Sequence, residues 1–179
     1  LLLIGAMGLF SGYYYTAPPV FFAGRGLGEL LVGLNFGVLS VAGSYYVQAQ
    51  GFSFAAVFAS LPLLFLIAAI LYINEFPDYD ADKAVGKNHL VVYLGMERAR
   101  WGFLFIVAWA YISIIAGVIL DLLPITALFV TPAAILGIKA VKGLFENYKK
   151  TVELIPSIKA TILCHLATGI GLIVIFLVS

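Results

Sequence analysis

Charge is what this chain has least of. Asp, Glu, Lys and Arg make up 11% of its residues against 63% hydrophobic, and its mean hydropathy is +1.10. Soluble domains carry about a quarter charged residues, so that class is excluded. Cysteine occurs once, as Cys164 beside His165. One thiol forms no internal disulfide, and no CxxC or Cys/His spacing for zinc accompanies it. Interhelical packing and a hydrogen bond account for both residues. The net charge is only +1, and the basic residues are interleaved with acids rather than clustered. No nucleic-acid-binding patch is present.

In place of charge there are long apolar runs. Leu30–Val47, Phe52–Ile73, Trp101–Leu120, Leu122–Ile138 and Ala160–Val178 contain no Asp, Glu, Lys or Arg. Each is long enough, or nearly so, to cross a bilayer as a helix. A sixth stretch, Leu1–Ala17, is of borderline length and ends in Tyr13-Tyr14-Tyr15. The runs are too many and too long for a signal peptide. The fold class they predict is all-α: a polytopic transmembrane helical bundle of roughly five full spans plus one partial span, in a single domain over 1–179. The chain opens without methionine inside apolar sequence, which suggests a portion of a longer protein. Gly33-xxx-Gly37 and Ser40-xxx-Ser44 offer small faces for close helix contact, and mid-span Asn35 requires a partner on a neighbouring helix. Apolar residues spaced among Lys and Glu over Gly143–Ser157 predict a short helix lying in the membrane interface.

If every run crosses, all ten basic residues fall on one side: Arg25, Lys83, Lys87, Arg98, Arg100, Lys139, Lys142, Lys149, Lys150 and Lys159. Positive residues gather on the cytoplasmic side of membrane proteins, so that face is expected to be cytoplasmic in a cell-membrane protein. Of the acids, only Asp121 lies opposite.

The densest polar stretch runs from Asn74 to Lys87 on that charged side. Asn74, Asp78 and Asp82 are spaced i, i+4, i+8, one stripe on a continuous helix with about 40° of drift per step. Pro77 is expected to break the incoming helix, since it lacks an N–H, while leaving Asp78 and Asp82 one turn apart. Three aspartates within five residues repel one another and invite a cation to neutralise them. Hard oxygen ligands without Cys or His point to magnesium. Lys83 and Lys87 place positive charge where phosphate oxygens on such an ion would lie. A solvated acidic loop is the plainer alternative. A transporter or channel fragment is a rival class, but such proteins place ionisable groups in mid-span, at around 3 kcal/mol per charge. Here only His165 titrates within the runs.

The pattern Asn74-Glu-x-x-Asp78-x-x-x-Asp82-x-x-x-Gly86-Lys87, followed by Leu90-Val91-Val92-Tyr93-Leu94-Gly95, resembles the second aspartate-rich motif of the UbiA superfamily of membrane prenyltransferases. Tyr15-Thr16-Ala17-Pro18-Pro19, Arg25-Gly26-Leu27-Gly28-Glu29-Leu30 and Gly43-Ser44-Tyr45-Tyr46-Val47-Gln48 are similar to the branch that prenylates dihydroxynaphthoate for menaquinone synthesis. The resemblance implies a nine-helix fold of which this chain forms the C-terminal part. It also implies transfer of a polyprenyl group from prenyl diphosphate to an aromatic acceptor inside the membrane, with Mg2+ as cofactor. A different acceptor, such as a glycerol phosphate ether lipid or a hydroxybenzoate, stays open. In these terms Asp78 and Asp82 are the metal ligands and catalytic carboxylates, and Tyr15 is the aromatic side chain of the site. Asn74, Lys83, Lys87 and Arg25 are the candidate substrate-binding residues. Two departures stand out. The first motif, Asn-Asp-x-x-Asp-x-x-x-Asp, is absent from these residues, so an N-terminal half of the same protein is expected as partner. His89 stands where relatives usually have Thr, and it is left unassigned.

Overall fold

The computed structural model describes residues 1–178. Among them every regular element is helical. Helix α1 covers Leu2–Thr16 and α2 covers Gly28–Ala49, after a single 3-10 turn at Phe22–Gly24. Then come α3 (Phe54–Asn74), the short α4 (Tyr79–Ala84) and α5 (Leu90–Leu94), and α6 (Met96–Ile119). The last two are α7 (Ile125–Asn147), which begins as a 3-10 helix, and α8 (Ile155–Val178). Helices α2, α3, α6, α7 and α8 are long and apolar enough to cross a membrane. At 1.5 Å per residue, the 15 residues of α1 reach about 22 Å, short of a full hydrocarbon core.

The bundle is organised around α3, which packs against α2, α6 and α8. Leu66, Ala69, Tyr72 and Ile73 of α3 are fully buried, as are Ala99, Phe103, Ala110 and Ile114 of α6. Between apolar helices in lipid, attraction comes from close van der Waals contact and hydrogen bonds rather than from exclusion of water. Glycine makes the closest approach. A Cβ on Gly33 would stand 2.7 Å from the Leu64 carbonyl oxygen, and one on Gly37 2.7 Å from Leu64 Cα. The Gly-xxx-Gly face is thus seated directly on the α3 backbone. Hydroxyls supply the bonds: Tyr72 Oη donates to the Ala99 carbonyl at 3.0 Å, and Tyr111 Oη meets Cys164 Sγ at 3.0 Å and Thr168 Oγ1 at 3.1 Å. Asn35 finds its neighbour in Ser11 of α1, at 2.9 Å. Cys164 therefore plays the packing role expected of it.

The two ends of the bundle are chemically distinct. Tyr72 on Ala99, Trp101 on Phe145 at 4.9 Å, and Ser157 against Gly143 bring the end of α3, the start of α6, the end of α7 and the start of α8 together. Arg100 lies there between the rings of Phe145 and Tyr148, 5.1 and 4.9 Å from their centroids. At the far end Gly117 approaches Leu123 and Phe58, next to the turn holding Asp121.

Three details differ from expectation. No separate interfacial helix forms over Gly143–Ser157. Helix α7 instead runs on to Asn147, because Gly137, Ala140 and Leu144 continue its buried face at helical spacing; turns follow, and Leu154 is 1% exposed beneath them. Ser40 and Ser44 do not seat against a helix: they line a groove of about 620 Å³ between α2, α3 and α8, and Ser40 Oγ donates to the Asn35 carbonyl at 2.8 Å. The run Leu122–Ile138 becomes a helix only from Ile125, since Leu122 and Leu123 turn their N–H groups onto the Gly117 carbonyl at 2.9 and 3.0 Å and Pro124 caps the new helix.

Gly37→Ala forces backbone apart, whereas Gly169→Ala meets only ordinary contact at 3.4 Å. The expected result is a loss of about 1–3 kcal/mol for Gly37→Ala and little change for Gly169→Ala. Thermal unfolding midpoints in detergent compare the two, and equal midpoints would contradict the packing described.

Candidate functional site

Helix α3 ends at Asn74, where the Glu75 and Phe76 N–H groups tighten onto the Tyr72 and Ile73 carbonyls at 3.3 and 3.4 Å, and Pro77 follows in the turn. Asp78 precedes the first residue of α4. Its backbone carbonyl accepts the Asp82 N–H at 2.8 Å, so the two carboxylates stand one turn apart. The stripe beginning at Asn74 is therefore interrupted between Asn74 and Asp78 and intact between Asp78 and Asp82. Helix α4 closes in a Schellman turn: the Lys87 N–H donates to the Asp82 carbonyl at 2.9 Å and the Gly86 N–H to that of Lys83 at 3.2 Å. Gly86 has φ +75°, the left-handed conformation that this cap requires and glycine adopts without strain. The turn carries Lys87 back over its own helix, and Lys87 Nζ donates to Asp82 Oδ2 at 2.7 Å. Lys-Gly spacing, rather than a distant element, builds this pair.

A second layer lies beneath. His89 caps α5, its Nδ1 accepting the Val92 N–H at 3.3 Å. Glu29, in the first turn of α2, accepts the Leu90 N–H on Oε1 at 2.9 Å. His89 Nδ1 is 3.3 Å from Glu75 Oε2, and Nε2 is 3.3 Å from Asp82 Oδ2. Both separations fall in ion-pair range, yet burial holds the imidazole below its usual pKa, against the pull of Asp82. A ring nitrogen that accepts an N–H is unprotonated, so His89 is neutral with its hydrogen on Nε2. Glu29, Glu75 and His89 are each buried, and one atom from each lies within 4.8 Å of the others. Burial first, and the Glu29 carboxylate second, push Glu75 up to about 10. Glu75 is thus a neutral acid at pH 7, because its charged form would be both desolvated and set against a second carboxylate.

Above this layer opens a cavity of about 360 Å³ lined by Tyr15, Thr16, Phe21, Ala23, Leu71, Asn74, Glu75, Asp78 and Lys87. Four residues singled out from the sequence, Tyr15, Asn74, Asp78 and Lys87, meet here. Asn74 Nδ2 bonds back to the Ile70 carbonyl at 2.7 Å. Asp82 stands behind Lys87. The other two candidates lie elsewhere. The exposed Arg25 guanidinium donates to the Pro19 carbonyl at 2.8 Å, and Lys83 sits 5.5 Å over the Tyr79 ring. Neither lines the cavity, because Arg25 is held by its own loop and Lys83 folds back over Tyr79, one turn earlier on α4. Sequence reasoning missed Glu29 and Glu75 as members of the site. A signal existed: Glu29 is the one acid before Glu75, placed where an apolar span begins.

Among the described residues the Asp78 carboxylate, which is exposed, makes no hydrogen bond or ion pair, and Asp82 engages only Oδ2. Hard carboxylate oxygens one turn apart, one side chain unengaged, beside a lysine and an open cavity, are a donor set that suits a hard divalent cation.

A raised acid favours the folded state while protonated. Glu75 therefore contributes stability that is complete below its ordinary value of 4.5 and is lost as pH rises toward about 10. Glu75→Gln keeps the neutral shape and removes the titration. The unfolding midpoint of the parent should fall between pH 6 and 9, and that of Glu75→Gln should fall less; parallel curves would rule out a neutral, raised Glu75.

The model of the UbiA prenyltransferase family matches residues 1–154. A "1,4-dihydroxy-2-naphthoate octaprenyltransferase" of Bacillus subtilis (strain 168) is 29% identical over 161 residues, covering 90% of this chain and 51% of that protein. Its counterpart of the same name in Mycobacterium tuberculosis (strain ATCC 25618 / H37Rv) is 26% identical, covering 96% of this chain and 57% of its own length. A "2-carboxy-1,4-naphthoquinone phytyltransferase" of Synechocystis sp. is 38% identical over 95 residues, 53% of this chain and 31% of that protein. The chain thus spans about half the length, or less, of these curated relatives. No solved structure matches it. With the family model covering most of its length, and with its apolar bundle and charged end, this chain belongs to the UbiA prenyltransferase family.

Proposed function

We propose that the complete protein transfers a polyprenyl group from prenyl diphosphate to an aromatic acceptor of the naphthoate type, as a step toward a menaquinone-like lipid, in a magnesium-dependent reaction at the cytoplasmic face of the cell membrane. The observation that carries this reading is the cavity in which Tyr15, Asn74, Asp78 and Lys87 meet at the charged end of an apolar bundle. A prenyl diphosphate has the same division: a hydrocarbon tail suited to the span region and a polyanionic head suited to the charged end. The names of the relatives supply the acceptor class.

Asp78 and Asp82 would hold the ion, which supplies Lewis-acid neutralisation of charge on the departing diphosphate. Lys87 donates N–H bonds to the same oxygens once its hold on Asp82 is shared with them. The carbon–oxygen bond of the ester breaks and its electron pair leaves with the diphosphate. Tyr15, Phe21 and Leu71 line the cavity with apolar and aromatic surface that keeps water from the allylic cation. The electron-rich ring of the acceptor gives a π pair to that cation, forming the carbon–carbon bond, and then sheds a proton to regain aromaticity. Tyr15, at the end of α1, faces the same space and can stack on the acceptor.

The test is incubation of the full-length protein with labelled geranylgeranyl diphosphate, magnesium and 1,4-dihydroxy-2-naphthoate, with products identified by mass spectrometry. Prenylated naphthoate is expected, and its absence with every aromatic acid tried would overturn the reading. Asp78→Ala or Asp82→Ala should lower turnover by about a hundredfold or more; parental turnover in either would remove that residue from the site. A cysteine probe at Lys149, which is exposed at the charged end, should label from the cytoplasmic side only.

A further inference from the structure

We propose that His89 is a positioning residue: anchored from α2 through Glu29, it fixes Asp82 so that one carboxylate oxygen is held and the other is presented to the ion. The proposal rests on the magnesium site described above and names a role for a side chain that touches neither ion nor substrate.

The geometry runs in one connected series. Glu29 begins a membrane span, is 2% exposed, and accepts the Leu90 N–H at 2.9 Å. A carboxylate buried so deeply is costly unless it is bonded, so the bond ties the start of α5 firmly to α2. The residue before Leu90 is His89, 0% exposed, whose Nδ1 accepts the Val92 N–H. Two fixed points one residue apart leave the imidazole plane little freedom. Its remaining nitrogen, Nε2, is buried, without an aligned hydrogen bond, and faces Asp82 Oδ2 at 3.3 Å. Lys87 Nζ reaches that same Oδ2 at 2.7 Å. Asp82 Oδ2 therefore takes the Lys87 hydrogen bond and has the Nε2 edge of His89 beside it, and Oδ1 is engaged by neither. An N–H held behind a metal-binding carboxylate sets its orientation, and loss of such a partner typically costs ten- to a hundredfold in metal affinity.

Each nitrogen of His89 has its own mimic. In His89→Asn the amide oxygen sits where Nδ1 does and can cap α5, but nothing reaches Asp82. In His89→Gln the terminal amide nitrogen sits where Nε2 does and can donate to Oδ2. The measurement is Mn2+ binding to the full-length protein with bound geranylgeranyl diphosphate, followed by electron paramagnetic resonance in detergent, together with the thermal midpoint of each variant. The expected result is binding weakened about tenfold or more in His89→Asn, with restoration to within about threefold in His89→Gln. Parental Mn2+ affinity in His89→Asn overturns the proposal. Equal weakness in both variants overturns it too, since a role confined to capping or folding would give that result. Failure of the prenyl-transfer reading is seen separately, as a parent protein that binds Mn2+ and forms no product.

Discussion

The whole arrangement depends on where a bundle in lipid can keep charge. Backbone groups in the hydrocarbon region must be bonded within helices, and ionised side chains there are expensive. Five spans free of mid-span charge leave only their ends for polar chemistry. Because the chain folds with the ends of α2, α3, α6, α7 and α8 gathered, nearly all the ionisable side chains of a 179-residue protein are brought to one surface. The cavity with Asp78 and Lys87 is a consequence of that segregation before it is a consequence of any particular contact.

Holding the spans at fixed depth is therefore part of holding the site. Gly33 and Gly37 let α2 rest on the Leu64 backbone, and Glu29 stands one turn before Gly33 on the same helix. The depth of Glu29 is set by that contact, and through its bond to Leu90 it sets the height of the loop carrying Asp82, Lys87 and His89. Packing within the apolar region and polar geometry at its edge are thus one mechanical system. Small residues do the work in lipid that large apolar ones do in water.

Much of this was legible in the sequence. The five spans, the one-sided placement of charge and the pairing of Asp78 with Asp82 each follow from composition or spacing. Asn35 needed a partner and has Ser11; Pro77 needed a break in the helix and lies in one. What was not legible required contact between distant segments. Glu29 and Leu90 are 61 positions apart, and no local pattern marks an isolated acid as one half of a carboxyl pair with Glu75. Arg25 and Lys83 were candidates behind Lys87 as cations for the site, but a lysine carried back by a Gly86 turn reaches the cavity, while an arginine held by its own loop does not. Charge type can be read from a sequence; the direction in which a long flexible side chain points is decided by the turn beneath it.

Helix α2 contains a π-helical turn over Leu34–Leu39, between two α-helical halves. A wider turn of that kind accommodates an extra residue, so the second half is rotated by roughly 100° relative to an unbroken 3.6-residue helix. Gly33 and Gly37 face α3, whereas Ser40 and Ser44, which uniform periodicity would assign to a similar contact face, line the groove toward α8 instead. Any helical wheel drawn through the whole span misplaces its last ten residues by more than a quarter of a circle. Substitutions at Ser44, Tyr45 and Gln48 should accordingly be chosen by numbering outward from Ser40, as though a new helix began there.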